Sequence, residues 1–234
     1  MTHVIVFDIW GEYGHFRKHY TTTSPLTFSI PTRTALTGLI GAILGCPKEE
    51  YLNHFGRDKA HIGVKLIKPV KKITFSENLI DTKKAGPMMN EIKNRTQIQF
   101  EFLRNPHFRI YFAHADPVLQ RKARDQISAH CSVYTPYLGL SEHIADFAYI
   151  GEFEAGQKES GDAEIHTAIR NDDIGKLIFE PGRQYITEIM PTEMAPDRTV
   201  TNYSDVIFER NGNPIRVAGT HYWELENGEC ITFL

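Results

Sequence analysis

The chain has 234 residues, 41% of them apolar and 24% charged, with a formal net charge of −3. That is ordinary globular composition with enough material for a real core, arranged as one medium domain with an appendage or as two small domains. The longest apolar stretch, Ala35 to Leu44, is broken by Thr37, Gly38 and Gly41, and no run approaches the roughly 18 apolar residues that a membrane span requires.

His3 to Ile9 is β-branched and apolar and predicts a buried strand at once, with no basic segment and cleavable apolar stretch before it. Trp10 to Ile30, with Gly11, Gly14 and a polar Thr21-Thr-Thr-Ser-Pro25 stretch, reads as a long ordered loop. Pro31-Thr32-Arg33-Thr34 opens a helix, with Thr32 or Thr34 able to cap its free N–H groups. Leu36, Leu39, Ile40, Ile43 and Leu44 then recur at helical spacing. Gly38 and Gly41 cost helix propensity on the order of 1 kcal/mol each, which predicts that another backbone, such as a sheet, approaches this helix closely. Gly45 followed by Pro47 is a natural stop. A short second helix is expected over Lys48 to Phe55.

Ile62 to Phe75 alternates and predicts one or two strands. Ser76 to Thr96 is polar and basic, without a period, around a Gly86-Pro87-Met88-Met89 tip. Gln97–Leu103 and Phe108–Ala113 read as strands about an Asn105-Pro106 turn, and Asp116-Pro117 caps a helix through about His130. From Ala145 the signals are all short strands: Phe147–Phe153, Glu164–Ile169, Tyr185–Met190, Val206–Glu209, Ile215–Val217, His221–Leu225 and Cys230–Phe233. The expected class is therefore α+β. Residues 1–150 follow a ferredoxin-like or RRM-like order with an insertion at about 76–96, and residues 151–234 form a small antiparallel β region.

Charge is distributed unevenly along this order. Residues 1–60 carry net +1, residues 61–124 net +8 and residues 125–234 net −12. A basic middle within an acidic chain is a local electrostatic footprint for nucleic acid, and the acidic last third argues against non-specific coating. The plainer alternative is a solvated lysine-rich face.

Sites for small-molecule chemistry are poorly supported. Eleven histidines are present, but His15 and His19, His54 and His61, or His107 and His114 lack a third ligand at metal-binding spacing. Cys46, Cys131 and Cys230 are odd in number and scattered, which disfavours zinc and a disulfide framework and suits a reducing cytoplasm. No Gly-x-x-x-x-Gly-Lys phosphate loop occurs. Ser141-Glu142-His143 sets hydrolase residue types side by side, where triad geometry is rarely met. No cofactor or metal is expected. The loop from Trp10 to Tyr20 is the better candidate. Its aromatics can stack on unpaired bases at about 1–3 kcal/mol per base, and Arg17 and Lys18 can neutralise phosphates. Against this, Trp10 and Phe16 can equally well close the core. Lys18, His19 and Tyr20 also have the residue types of a metal-independent ribonuclease.

Two stretches carry a resemblance. Phe7-Asp-Ile-Trp-Gly-Glu-Tyr-Gly-His-Phe-Arg-Lys18 and Ser24-Pro-Leu-Thr-Phe-Ser-Ile-Pro-Thr-Arg-Thr-Ala-Leu-Thr-Gly-Leu-Ile-Gly-Ala-Ile-Leu-Gly45 strongly resemble the "Cas five" family of CRISPR-associated proteins. Asn105-Pro-His-Phe-Arg-Ile-Tyr111 and Tyr137-Leu-Gly-Leu-Ser-Glu-His143 look like its third-strand region and its glycine-containing loop. The likeness covers essentially the first 150 residues and is greatest to the type I-B branch.

That resemblance implies an RRM-like body with an inserted thumb. It also implies a role in Cascade, the type I CRISPR effector: holding the 5′ handle of the crRNA and capping the complex. Its expected partners are a backbone subunit and the large subunit that reads the PAM, with target DNA met indirectly and no membrane. Together with the loop read above, the expected RNA-binding residues are Trp10, Tyr13, His15, Phe16, Arg17, Lys18, Tyr20, Arg33, Ser141 and His143. The thumb adds Lys83, Lys84, Met88, Met89, Lys93 and Arg95. The family's type I-C branch cuts the guide precursor itself, with a tyrosine before the helix motif and a lysine-histidine pair near the second helix. Phe28 stands in place of that tyrosine here and no such pair occurs between Asp116 and His130, so no catalytic residue is expected.

Overall fold

The computed structural model describes residues 2–80 and 95–234. In chain order the elements are β1 (Thr2–Trp10), β2 (Tyr13–Gly14), α1 (Arg33–Leu44), α2 (Tyr51–His54), β3 (Ala60–Leu66), β4 (Lys72–Ile80), β5 (Arg95–Arg104), β6 (His107–His114) and α3 (Pro117–Ser128). There follow β7 (Asp146–Ile165), β8 (Ile169–Arg170), β9 (Lys176–Leu177), β10 (Tyr185–Met194), β11 (Val200–Glu209), β12 (Ile215–Leu225) and β13 (Cys230–Ile231).

Four antiparallel strands, in the order β3-β6-β1-β7, carry α1 and α3 on one face. With β4 and β5 inserted between the second and third strands, this is the ferredoxin-like β-α-β-β-α-β order that the sequence predicts. Alternation sets the layers. Ile5, Phe7 and Ile9 of β1, with Phe108, Ile110 and Phe112 of β6, face Leu36, Leu39, Ile40 and Ile43 of α1 and Ala123 and Ile127 of α3. Fully burying each large apolar side chain stabilises the fold by about 1.5–3 kcal/mol. The opposite face of β1 and β6 presents Val4, Val6, Tyr111 and Ala113, and the C-terminal strands cover it with Leu225 and Ile231.

Local signals place the helix ends. The Thr32 hydroxyl accepts a hydrogen bond from the Ala35 N–H at 3.1 Å, which decides between the two candidate caps. Gly45 closes α1 at φ 71°, where a Cβ would stand 2.7 Å from Val133. The Asp116 carboxylate accepts from the Val118 N–H at 2.8 Å to start α3.

Several expectations are corrected. The expected close backbone approach to the α1 glycines does not occur: a Cβ at Gly38 would meet nothing within 4 Å, and one at Gly41 would meet only the Tyr51 side chain. The second helix is one turn, Tyr51–His54. The strands expected at Phe147–Phe153 and Glu164–Ile169 are mostly one 20-residue strand, β7, because the glycine-rich polar stretch between them stays extended by pairing with β12. Ile215–Val217 and His221–Leu225 likewise form one strand, β12. As a result the boundary drawn at residue 150 falls inside β7. Its first half pairs with β1 and its second with β12, so the appended strands extend the same sheet. β10 and β11, with β8, make a separate three-stranded sheet.

The insertion is a β-hairpin. β4 and β5 pair in register from Lys72–Leu103 out to Ile80–Arg95. It therefore leaves the body four residues earlier than the expected start at Ser76. Lys83, Lys84, Met88, Met89 and Lys93 lie outside the described residues. Among the described residues no helix is long and apolar enough to cross a membrane, and no cluster of three metal-ligating side chains occurs.

Candidate nucleic-acid interface

The first loop is pinned to the hairpin base. Tyr13 pairs with Arg104 and Gly14 with Leu103. On its other side the His15 N–H donates to the Leu138 carbonyl at 2.9 Å. Gly139, at φ 92°, sits so close that a Cβ would meet the His15 carbonyl oxygen, which leaves glycine as the residue that fits.

This anchoring brings Tyr13, His15 and His143 together around aromatic residues that sequence reasoning had assigned to ordinary strands. Phe75 and Phe102 stack with centroids 4.3 Å apart, and Phe100 stacks on Phe102 at 5.8 Å. Tyr13 meets Phe75 and Phe102 edge-on. His143 stands edge-on to Phe102 at 5.1 Å, and His15 lies 5.6 Å from both Phe100 and Phe102. Phe75 and Phe100 are half-buried. The signal was available in the alternation Ile98, Phe100, Phe102 opposite Ile73 and Phe75, a hairpin with one apolar face.

His15 is an interior residue. It is 1% exposed, and its Nδ1–H donates to the Glu101 carbonyl at 2.7 Å. Burial holds the charged form down, so its pKa lies below the ordinary histidine value, although the Glu101 bond pulls the other way. Burial lowers His143 likewise. Both rings are therefore neutral in the fold when the unfolded chain begins to take up protons near pH 6.5. The unfolded state then binds more protons, so their contribution is complete above that pH and is lost as pH falls below it. The urea midpoint is expected to drop between pH 7.5 and 5.5. His15→Asn, which keeps a donor for the Glu101 carbonyl but does not titrate, should flatten that drop; a wild-type midpoint constant over this range would refute the assignment.

Other expected contacts are spent inside the fold. Phe16 is a core residue, edge-on to Phe108. Arg33 is 2% exposed; its guanidinium donates to the carbonyls of Thr192 (3.1 Å), Phe55 (2.9 Å) and Ala60 (2.8 Å). Burial lowers its pKa to about 10, with Arg170 adding to the effect, yet it stays charged at neutral pH. Its expected phosphate role is thus corrected to a structural one. Lys18 Nζ lies 2.8 Å from Glu188 and 5.5 Å above the Phe28 ring. Burial works to lower its pKa, but the Glu188 carboxylate more than offsets this and the net shift is upward.

The remaining predicted residues are at the surface or its margin. Trp10 ends β1 half-buried, 5.6 Å from the His107 ring. Arg17 is exposed and donates to the Thr21 carbonyl. Tyr20 is exposed, and the His19 ring lies 5.2 Å from it and 4.9 Å from Tyr203. Arg95 is exposed at the start of β5, and Ser141 donates to Glu142 at 3.3 Å.

The cations of the basic block that gather in one place are not those singled out from the sequence. Lys68, Lys71 and Arg104 are exposed and surround one depression at the hairpin base, bordered by Pro106 and His107. The Arg104 N–H donates to the Lys71 carbonyl at 2.9 Å, which fixes these two residues side by side. With Trp10 over His107 next to them, the arrangement offers phosphate neutralisation and a stacking surface on one strip.

The family model described as "CRISPR-associated protein (Cas_Cas5)" matches residues 4–212. No curated protein matches. Among solved structures, a CRISPR protein from Archaeoglobus fulgidus is similar with a TM-score of 0.58 at 12% identity, over 97% of both chains. A chain of a CRISPR RNA-guided surveillance complex is similar with a TM-score of 0.50 at 12% identity, over 92% of this chain and 91% of that one. A chain of the type III-B Cmr-beta complex bound to cognate target RNA and AMPPnP has a TM-score of 0.50 at 11% identity, over 92% and 86%. At these identities the likeness is one of fold.

Proposed function

Because the chain belongs to the CRISPR-associated Cas5 family, we propose that it is the guide-RNA-binding subunit of a CRISPR effector and does no chemistry of its own. The observation that carries this reading is the strip at the hairpin base, where exposed Lys68, Lys71 and Arg104 stand next to Trp10 and His107. Such a strip grips an unpaired strand by its phosphates and stacks its bases. In its finer form the proposal is a type I, I-B-like Cascade subunit of the cytoplasm. It holds the 5′ handle of the crRNA and caps the backbone, beside a backbone subunit and the large PAM-reading subunit.

The ribonuclease alternative needs a cation to steady the pentacoordinate phosphate and a base to activate a 2′-hydroxyl. Lys18 is paired with Glu188, whose carboxylate competes with a phosphate for its charge, and His19 lies against the rings of Tyr20 and Tyr203. Incubating the purified protein with repeat RNA in EDTA tests the proposal. The expected result is tight, salt-sensitive binding with the RNA intact. Site-specific cleavage that disappears in Lys18→Ala or His19→Ala overturns it.

A further inference from the structure

Tyrosines from two separate segments converge on the outer face of α1. Tyr51 comes from α2, and Tyr134 and Tyr137 come from the segment after α3; together they wall a groove of about 620 Å³. An adjoining recess of about 180 Å³ shares Gly38, Ala42, Tyr51 and Tyr137 with it and ends at Gly139, beside the first loop. The tyrosine segment is fastened in place. The Val133 N–H donates to the Ile43 carbonyl at 3.1 Å and the Tyr134 N–H to the Ala42 carbonyl at 3.0 Å, so the last turn of α1 itself holds it. Even so, Tyr134 remains 52% and Tyr137 46% exposed.

The groove has a cationic rim. Lys48 and Arg198 line it, against the carboxylate of Glu49. Arg198 adopts φ 68°, a conformation that non-glycine residues take at a cost, and donates to the Lys48 carbonyl at 3.4 Å. The floor is backbone. Gly38 faces open space within the groove, so its missing side chain serves no contact within this chain although alanine would suit the helix better. Exposed π faces accept any unpaired base, rim cations meet the flanking phosphates, and a bare floor lets a base or ribose edge reach the helix.

We propose that this groove is a second RNA subsite, distinct from the cationic strip, which takes one or two unpaired nucleotides with bases against Tyr51, Tyr134 and Tyr137 and phosphates toward Lys48 and Arg198. The proposal rests on the guide-binding reading and extends it to the other side of the Gly139 loop. Among possible occupants, single-stranded RNA fits the pairing of ring faces with rim cations better than a protein segment does.

The test uses the full chain with a single-stranded RNA octamer carrying one 4-thiouridine, and a matched octamer with an abasic site at that position. The expected crosslinks fall on Tyr51 or on the peptide containing Tyr134 and Tyr137, and the abasic octamer binds at least tenfold more weakly. Gly38→Leu, whose Cβ would meet nothing within 4 Å and whose side chain would occupy the groove, should keep or raise the Tm and weaken octamer binding at least tenfold; Tyr137→Ala should weaken it comparably. If wild type binds both octamers equally while these variants leave affinity unchanged, the groove is wrong and the guide-binding reading survives. If wild type binds no RNA at all, that reading fails first and takes the groove with it. If the variants spare RNA binding but block assembly with the other effector subunits, the groove is a protein interface and the proposal is overturned.

Discussion

Replacing Arg33 by alanine is expected to destabilise the protein by about 3–5 kcal/mol while leaving the RNA affinity of the folded fraction unchanged. The size follows from the three carbonyls the guanidinium satisfies, those of Phe55, Ala60 and Thr192. A buried polar group left without a partner costs about 1–3 kcal/mol, and three acceptors lose their donor at once, with a cavity added. Partial relaxation brings the sum below simple addition. For a chain of this size about 2–4 °C of Tm accompanies each kcal/mol, so a loss of about 10 °C is expected. Arg33→Lys should recover little, because one ammonium cannot span acceptors in three segments with the planar reach of a guanidinium. A phosphate-binding arginine behaves in the opposite way, with Tm kept and affinity lost. Thermal unfolding and RNA titration on the same variant separate the two, and a variant of wild-type Tm with weakened binding would restore the phosphate role.

The largest effect on binding is expected from removing Lys68, Lys71 and Arg104 together. All three are exposed, so their replacement by alanine should change stability by no more than about 0.5 kcal/mol each. On a single strand each neutralised phosphate contributes about 0.7 to the slope of log K against log salt, so the triple variant should lose about 2 units of slope. Affinity near physiological salt should fall by roughly a hundredfold, with little dependence on RNA sequence, because phosphate contacts carry position and not sequence. Titrations at several salt concentrations measure both quantities. A slope equal to wild type would show that the strip does not touch the strand.

The two variants separate roles that look alike in the sequence. Arg33 and Arg104 are both arginines at the end of an element in the N-terminal half. One is consumed by the fold, and the other is left at the surface of a hairpin base. Phe16 and Phe100 differ in the same way: the first closes the core, the second belongs to a stack at the root of the insertion. The stack also accounts for the hairpin's attachment, since an isolated two-stranded hairpin is marginal in water and this one is braced by Tyr13 and His143.

Whatever acts over a few residues was legible in the chain. Apolar runs and alternation set β1, β3 and β6, Asp116 set the start of α3, Thr32 or Thr34 that of α1, and Gly45 the end of α1. The strand–helix order then led to the ferredoxin-like arrangement, and the +8 block marked the region of the cationic strip. The tertiary structure decided which of those groups remained available. Arg33 meets its carbonyl partners across 22, 27 and 159 residues of chain, and Lys18 finds its carboxylate 170 positions on, at Glu188. It likewise decided that Gly38 opens onto a groove and not a packed backbone, and that the residues left between the expected strands Phe147–Phe153 and Glu164–Ile169 continue one strand. The physical reason is common to all of these. Capping, propensity and pleat are settled by neighbours in the chain, whereas desolvation and hydrogen-bond satisfaction depend on whichever distant segment the fold brings alongside.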